Sequence, residues 1–250
     1  MSPAARSDID VLSRHRAIWA ARPELRAVYR EWFTELLHEV RGLQPTVEVG
    51  CGPGFFKEYA AHLISLDVLP NPWVDVRCDA GTLPLRSGSV GALLMIDTLH
   101  HLAAPVAFMD EALRVLRPGG RLALVEPWIT PLSFLLYRYL HHEECRLGID
   151  VARPFEGPDK NALDGNAAIP FALLRYLRAR RHPLRLVRAD TFVGLPYLVT
   201  FGFVLSRPLP SALISVARMA ERLTGPFRKL AATRILAVWE KATHGAPAAA

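Results

Sequence analysis

Cysteine is scarce in this chain: Cys51, Cys78 and Cys145 are the only three in 250 residues, far apart and outside any CxxC or CxxH spacing. That excludes a disulfide framework and a structural zinc site, and it fits a reducing, cytoplasmic compartment. Lysine is nearly absent too, so the 30 positive charges are mostly arginine. No apolar run reaches the roughly twenty residues that a membrane-spanning helix needs. The longest weakly charged stretch, Thr191 to Ala217, holds only Arg207, yet Gly194, Pro196, Gly202, Pro208 and Pro210 interrupt it. No basic-then-apolar leader opens the chain, because Asp8 and Asp10 follow Arg6. Internal repeats are missing, and low complexity is confined to the Ala/Pro tail after His244. With 51% hydrophobic and 22% charged residues, the composition is that of a folded chain with a full core rather than a disordered one.

The net charge of +6 is unevenly spread. From Phe171 onward, thirteen basic residues face only Asp190, Glu221 and Glu240, a balance of +10 against −4 for the first 170 residues. Such a third can serve as a face for an anionic membrane or a nucleic acid, or simply solvate its helices with arginine.

Strand and helix patterns alternate. Asp8 to Val40 carries Leu12, Ile18, Leu25, Val28, Trp32, Leu36 and Leu37 near a 3.6-residue period and predicts helix. Short apolar strands are predicted at Thr46–Val49, Leu63–Val68, Asp75–Cys78, Gly91–Ile96 and Arg121–Val125. A helical stretch is expected at Phe55–His62, and another at Pro105–Leu116, stopped by Arg117-Pro-Gly-Gly120. Beyond Glu126 the reading is helix at Leu132–Cys145, loop at Arg153–Pro170, helix at Phe171–Arg181 and a strand at Leu184–Val187. A helix pair broken at Gly225-Pro226 spans Ser211–Leu230, and Ile235–Trp239 closes as a strand. This alternation predicts an α/β fold, a mostly parallel sheet with helices on both faces and an elaborated C-terminal part.

The informative segment is Glu48-Val-Gly50-Cys51-Gly52-Pro-Gly54. Glycines at alternate positions between a strand and a helix let the backbone approach a ligand, and the helix start beyond Gly54 would turn free N–H groups toward it. Asp67 ends the second strand, where an acid can accept both hydroxyls of a ribose. Asp79 follows the third strand, within reach of an adenine amino group. Glu48 stands inside the first strand, an expensive place for a carboxylate without a partner. A nucleoside with a positively charged appendage suits this set.

At these residues the chain resembles the class I S-adenosylmethionine-dependent methyltransferases, in particular their small-molecule branch. The resemblance runs from Thr46 to Pro127. It rests on the Glu48-x-Gly50-x-Gly52-x-Gly54 loop, Asp67, Asp79-Ala80 with Leu83-Pro84, Met95-Ile-Asp-Thr-Leu-His-His-Leu102, and the Glu111 to Gly120 run. It implies a Rossmann-like seven-stranded sheet whose last strand, Ile235–Trp239, is antiparallel. It also implies S-adenosyl-L-methionine as cofactor, with Gly50, Cys51, Gly52 and Gly54 against the amino-acid end and Glu48 supporting it. Asp67 would take the ribose, Asp79 the adenine amino group, and Ala80 the ring through its N–H. Ile96 and Asp97 would border the methionine moiety. The division expected is a helical cap at 1–43, the cofactor core at 44–130, substrate-side helices at 131–233, the closing strand at 234–242 and a disordered tail at 243–250.

Methyl transfer demands an aligned nucleophile, and a base only where the acceptor is protonated. His100, His101 and Glu126, just beyond the fourth and fifth strands, are the candidates. His141, Glu144 and Cys145 share a helix face, but without a second cluster no metal is expected. Trp19, Tyr29 and Trp32 could cap the site or belong to the core. The loop from Asp164 to Pro170 could shape the substrate pocket or simply be a surface connection. The greasy Thr191–Ala217 stretch beside Arg218, Arg222, Arg228 and Lys229 could line a pocket or rest peripherally on a membrane. The expectation is a cytoplasmic, or membrane-peripheral, enzyme methylating oxygen or carbon of a small lipophilic acceptor. RNA methylation lacks a recognisable RNA-binding module. A nicotinamide dehydrogenase would need glycine where Phe55 stands; an RNA methyltransferase using the basic C-terminal third and a non-catalytic cofactor-binding protein are the alternatives.

Overall fold

The computed structural model describes residues 3–139, 144–155 and 161–243. Residues 244–250 of the predicted tail lie outside them. Two helices come first, α1 (Pro3–Ala21) and α2 (Pro23–Glu39). The single helix predicted over 8–40 is therefore two. Pro23 cannot continue α1 and pushes Arg22 out of helical dihedrals, to φ −123° and ψ 83°.

Seven strands follow: β1 (Thr46–Val49), β2 (Ile64–Asp67), β3 (Val76–Arg77), β4 (Val90–Ile96), β5 (Leu116–Pro127), β6 (Leu184–Phe192) and β7 (Arg234–Lys241). They form one sheet in the order β3-β2-β1-β4-β5-β7-β6. The first five are parallel, and β7 runs antiparallel to both β5 and β6. The expected antiparallel closing strand is thus present. Strand β5 begins earlier than predicted: the Pro118-Gly119-Gly120 segment is absorbed into it as a register irregularity opposite Val90 and Ala92. Strand β6 continues five residues past Val187, since pairing with β7 holds Arg188 to Phe192 although that stretch carries two charges.

The pleat sorts the apolar residues of the central strands onto two faces. Leu93, Met95, Leu122, Leu124, Ala237 and Trp239 pack with α3 (Pro105–Val115) and α5 (Ile169–Ala179). Their neighbours Ala92, Leu94, Ala123, Val125, Leu236 and Val238 pack with α2 and the end of α1. The remaining helices are α4 (Pro131–Tyr139), α6 (Leu195–Thr200), α7 (Ser211–Leu223) and α8 (Arg228–Ala231). Helix α6 was unforeseen within the 191–217 stretch, and Gly194 in left-handed geometry (φ 74°) makes the turn into it. Among the described residues no helix is long and apolar enough to cross a membrane.

Arg22, wholly buried at the α1–α2 break, fastens the N-terminal helices to the chain after α6. Its guanidinium donates to the carbonyls of Thr200, Gly202 and Leu205 at 2.7–2.9 Å and pairs with Glu24 at 2.7 Å. Glu24 in turn accepts the Leu209 N–H. Such a buried charge is tolerated because its N–H groups meet partners.

Candidate active site

The carboxyl ends of β1, β2, β4 and β5 deliver Gly50, Asp67, Asp97 and Glu126 to one edge of the sheet, where open α/β sheets bind ligands. A cavity of about 1390 Å³ lies there. Every candidate cofactor residue except Gly54 lines it, from Glu48, Gly50, Cys51 and Gly52 through Asp67, Asp79 and Ala80 to Ile96 and Asp97.

The loop after β1 is built by glycine geometry. Gly50, Gly52 and Gly54 have φ of 75°, 48° and 71°. The N–H groups of Gly50 and Cys51 both donate to the Leu66 carbonyl, at 2.8 and 3.0 Å, tying the turn to β2. A Cβ on Gly50 would lie 2.0 Å from the Thr98 methyl, and one on Gly54 2.6 Å from Trp73 Cβ. Gly54 therefore faces away from the cavity and serves packing. The helix predicted at Phe55–His62 is only a 3₁₀ turn, Phe56–Glu58. Phe55 stacks on Trp19 at 4.0 Å and Phe56 on Phe33 at 4.2 Å, so two neighbouring side chains are drawn to different helices within the connection from β1 to β2. The dipole of a full helix is accordingly not on offer to a ligand.

Asp67 accepts the Gly52 N–H at 2.7 Å and the Leu69 N–H at 2.8 Å. Burial raises its pKa, with those backbone bonds pulling the other way. Glu48 is buried in β1, and burial pushes its pKa up to about 8 despite the Ser65 hydroxyl that donates to it at 3.4 Å. Cys51 is buried beside both acids, and burial pushes its thiol up. Asp79 is exposed and accepts the Gly81 N–H at 2.6 Å.

Glu126 is completely buried and gives both oxygens to the connection after β4. Oε1 accepts the N–H groups of Thr98 and Leu99 at 2.8 and 2.7 Å, and Oε2 sits 2.7 Å from His100 Nδ1. It therefore stands behind His100, which lines the cavity, while Glu126 is not among the lining residues. His100 and His101 both line the cavity, their rings 4.0 Å apart. The 164–170 loop holds them from below: Asn166 N–H donates to the His100 carbonyl at 2.9 Å, and a Cβ on Gly165 would lie 2.8 Å from both rings.

A second polar cluster was not foreseen. Asp97, in left-handed geometry (φ 49°), forms an ion pair through Oδ1 with the buried Arg234 and accepts the Tyr29 hydroxyl at 3.3 Å on Oδ2. The Arg234 guanidinium lies 4.4 Å from the Tyr197 ring centre and 5.2 Å from that of Trp32. Burial works against its charge, yet Asp97 and the surrounding hydroxyls hold its pKa above the ordinary arginine value. Of the three aromatics that could cap the site, Tyr29 lines the cavity, whereas Trp19 and Trp32 pack behind it. Of the considered metal trio, His141 lies outside the described residues, and Glu144 pairs with Arg146 at 2.5 Å.

Residues 47–124 match a family model described as a methyltransferase domain. An uncharacterized methyltransferase-like protein of Schizosaccharomyces pombe is 34% identical over 144 residues, which are 48% of this chain and 55% of that protein. An uncharacterized transposon protein of Streptomyces fradiae is 47% identical over 110 residues, 36% of this chain and 32% of its own length. The chain thus spans about half and about a third of these two curated relatives. Among solved structures, geranyl diphosphate C-methyltransferase from Streptomyces coelicolor superposes with a TM-score of 0.56 at 13% identity, over 85% of this chain and 79% of that one. Sheet order, glycine loop, strand-end acids and family match agree: residues 47–124 are similar to a methyltransferase domain, set in a sheet with the class I S-adenosylmethionine-dependent methyltransferase fold.

Proposed function

We propose that this chain methylates an oxygen or carbon of a small, apolar organic acceptor with S-adenosylmethionine. One observation carries the reading: the glycine loop and the strand-end acids open into the same cavity as an aromatic and aliphatic chamber. At about 1390 Å³ this space exceeds the roughly 300–1,000 Å³ of a single-ligand pocket, so a cofactor and an acceptor fit side by side. Residues 1–43 contribute Leu12, Ile18 and Phe33 to it, and residues 131–233 contribute Leu136, Leu198 and Phe203. These are the cap and the acceptor side.

The residues present fit the cofactor. Asp67 and Asp79 place acid beside the loop, which favours a cationic nucleoside, while Glu48 retains its proton near neutrality and Asp97 is paired with Arg234. Gly50, Cys51 and Gly52 offer backbone without side-chain bulk to its amino-acid end. Asp67 keeps lone pairs beyond its two backbone bonds for ribose hydroxyls, and Asp79 with Ala80 serves the adenine. Ile96 and Asp97 border the methionine end. Bound S-adenosylmethionine supplies an electrophilic methyl group on positively charged sulfur. The chain's part is to exclude water with Tyr29, Phe203 and Leu136, and to align the acceptor. Where the acceptor carries a proton, His100 Nε2 receives it while Glu126 fixes Nδ1, and His101 stands beside it.

The RNA reading draws on only part of the basic third, because Arg185, Arg188, Arg218 and Arg234 pair with Glu240, Glu39, Glu31 and Asp97. The test is calorimetric titration with S-adenosylmethionine, S-adenosylhomocysteine and NAD, followed by an acceptor screen over lipophilic phenols and quinols. Binding of the adenosyl ligands with turnover of an apolar acceptor is expected. Binding of NAD alone overturns the cofactor, and tight cofactor binding without turnover across the panel favours a non-catalytic role.

A further inference from the structure

Helix α7 is apolar on two opposite sides. Ile214 and Ala217 are buried, Ile214 against the cluster that contains Trp32 and Val238. Leu213, Val216, Met219 and Leu223, spaced three, three and four residues apart, form the other side, and all are exposed, Leu223 to 75%. An ordinary surface helix would place charge there. Neighbouring elements continue the pattern. Leu132, Leu135 and Tyr139 form an exposed i, i+3, i+7 stripe on α4, and α4 packs on α8, where Leu230 and, just before the helix, Phe227 are exposed. Phe201 and Val204, which follow the α6 that packs on α7, are 67% and 76% exposed and also line the cavity. The apolar surface therefore reaches the mouth of the candidate active site.

Charge selects the occupant. Between Leu195 and Thr233 the basic residues are Arg207, Arg218, Arg222, Arg228 and Lys229, and all but Arg218 are exposed. The one acid, Glu221, is spent on the N–H groups of Val193, Gly194 and Leu195, at 3.0, 3.2 and 2.7 Å. Exposed Arg138 adds a base on α4. Exposed apolar side chains rimmed by arginine and lysine are what an anionic bilayer surface takes up: apolar groups enter the acyl boundary and basic heads stay at the phosphates. A second copy of the chain would oppose one basic rim to another, and a polyanion in water would leave the apolar side chains uncovered.

We infer that α4, α7, α8 and the Phe201–Val204 segment form a docking surface for anionic membranes, and that the acceptor is a lipid drawn from the bilayer past Phe201 and Val204 into the cavity. This rests on the cavity being the acceptor site.

The experiment is flotation of the full chain with phosphatidylcholine vesicles, with and without phosphatidylglycerol, beside size-exclusion chromatography and calorimetry with S-adenosylhomocysteine. Capture by the phosphatidylglycerol vesicles and not by the neutral ones is expected, weakening as salt rises. The V216E/M219E and R222E/R228E variants alter only exposed side chains; each should lower vesicle partitioning roughly tenfold or more with S-adenosylhomocysteine binding intact. Failure to float, equal capture by both vesicle types, or full capture of V216E/M219E overturns the docking surface. So does a wild-type dimer that V216E/M219E converts to monomer, which would make the face a contact between copies. Loss of S-adenosylhomocysteine binding in the wild type would overturn the cofactor reading instead, independently of flotation.

Discussion

His100 Nδ1 and Glu126 Oε2 lie 2.7 Å apart with both residues buried, so the carboxylate at the end of β5 sets which imidazole nitrogen carries the proton. With a carboxylate as partner, Nδ1 donates and Nε2 is the accepting nitrogen. Glu126→Gln should reverse this. Its amide oxygen can still accept the N–H groups of Thr98 and Leu99, which leaves the amide NH₂ toward Nδ1 and places the ring proton on Nε2. For a protonated acceptor, kcat should then fall by about 10²–10⁴-fold with KM nearly unchanged, and the acidic limb of the kcat profile, where a general base is lost to protonation, should change with it. A fall in KM-dependent binding alone, with the pH profile intact, would reduce Glu126 to a scaffold residue.

Two neighbouring loop glycines should respond unequally to alanine. Both hold positive φ, which costs a non-glycine residue about 1–2 kcal/mol. A Cβ at Gly50 also runs into the β-branched Thr98 at 2.0 Å, whereas one at Gly52 finds only Leu12 Cδ2 at 3.9 Å. Gly50→Ala should therefore lower the thermal midpoint more than Gly52→Ala, and Thr98→Gly should recover part of the loss in the double variant. Thermal melts of the four proteins check this, and equal losses at both glycines would contradict it.

How far these features could be read from the sequence depended on how local their causes are. The glycine loop, the strand-end acids and the antiparallel closing strand are each written within a few residues, and all are found. The break at Arg22 was equally local, because Pro23 marks it, but the apolar period running through 8–40 masked it. The Asp97–Arg234–Tyr29–Tyr197 cluster was hidden for another reason. Its members come from the end of β4, the start of β7, α2 and α6, and only the folded sheet joins segments 137 residues apart. Its one available signal was an arginine at the head of a strand otherwise predicted to be apolar.

That cluster should be expensive to break from one side. Arg234→Met leaves Asp97 with the Tyr29 hydroxyl as its remaining hydrogen-bond partner of the cluster, and removing one member of a buried ion pair typically costs about 3–5 kcal/mol. Asp97→Asn/Arg234→Met should be more stable than the sum of the single losses allows, because the methionine can fill the space between Trp32 and Tyr197 without leaving a charge behind. Urea unfolding of a double-mutant cycle measures the coupling. Additive losses would mean that the two residues act independently.

Glu48 makes stability depend on pH in a direction opposite to that of most carboxylates. Burial raises its folded-state pKa from an ordinary 4.5 to about 8. Between those values the folded protein retains a proton that the unfolded chain has released, so the unfolded state binds fewer protons and stability falls as pH rises. The stabilisation is complete below about pH 4.5 and is lost by the time the pH has passed about 8. Asp67, raised by burial too, adds to the same trend. Glu48→Gln keeps the shape and removes the titration, and its amide can still accept from Ser65. The variant should be less sensitive to alkali than the wild type, the difference between them growing by a few kcal/mol, to order of magnitude, from pH 5 to pH 8. Urea unfolding at several pH values checks both sign and window. Parallel curves for the two proteins would place Glu48 in a more polar setting than its position in β1 indicates, while a wild type that gains stability across this range would mean that the other carboxylates outweigh it.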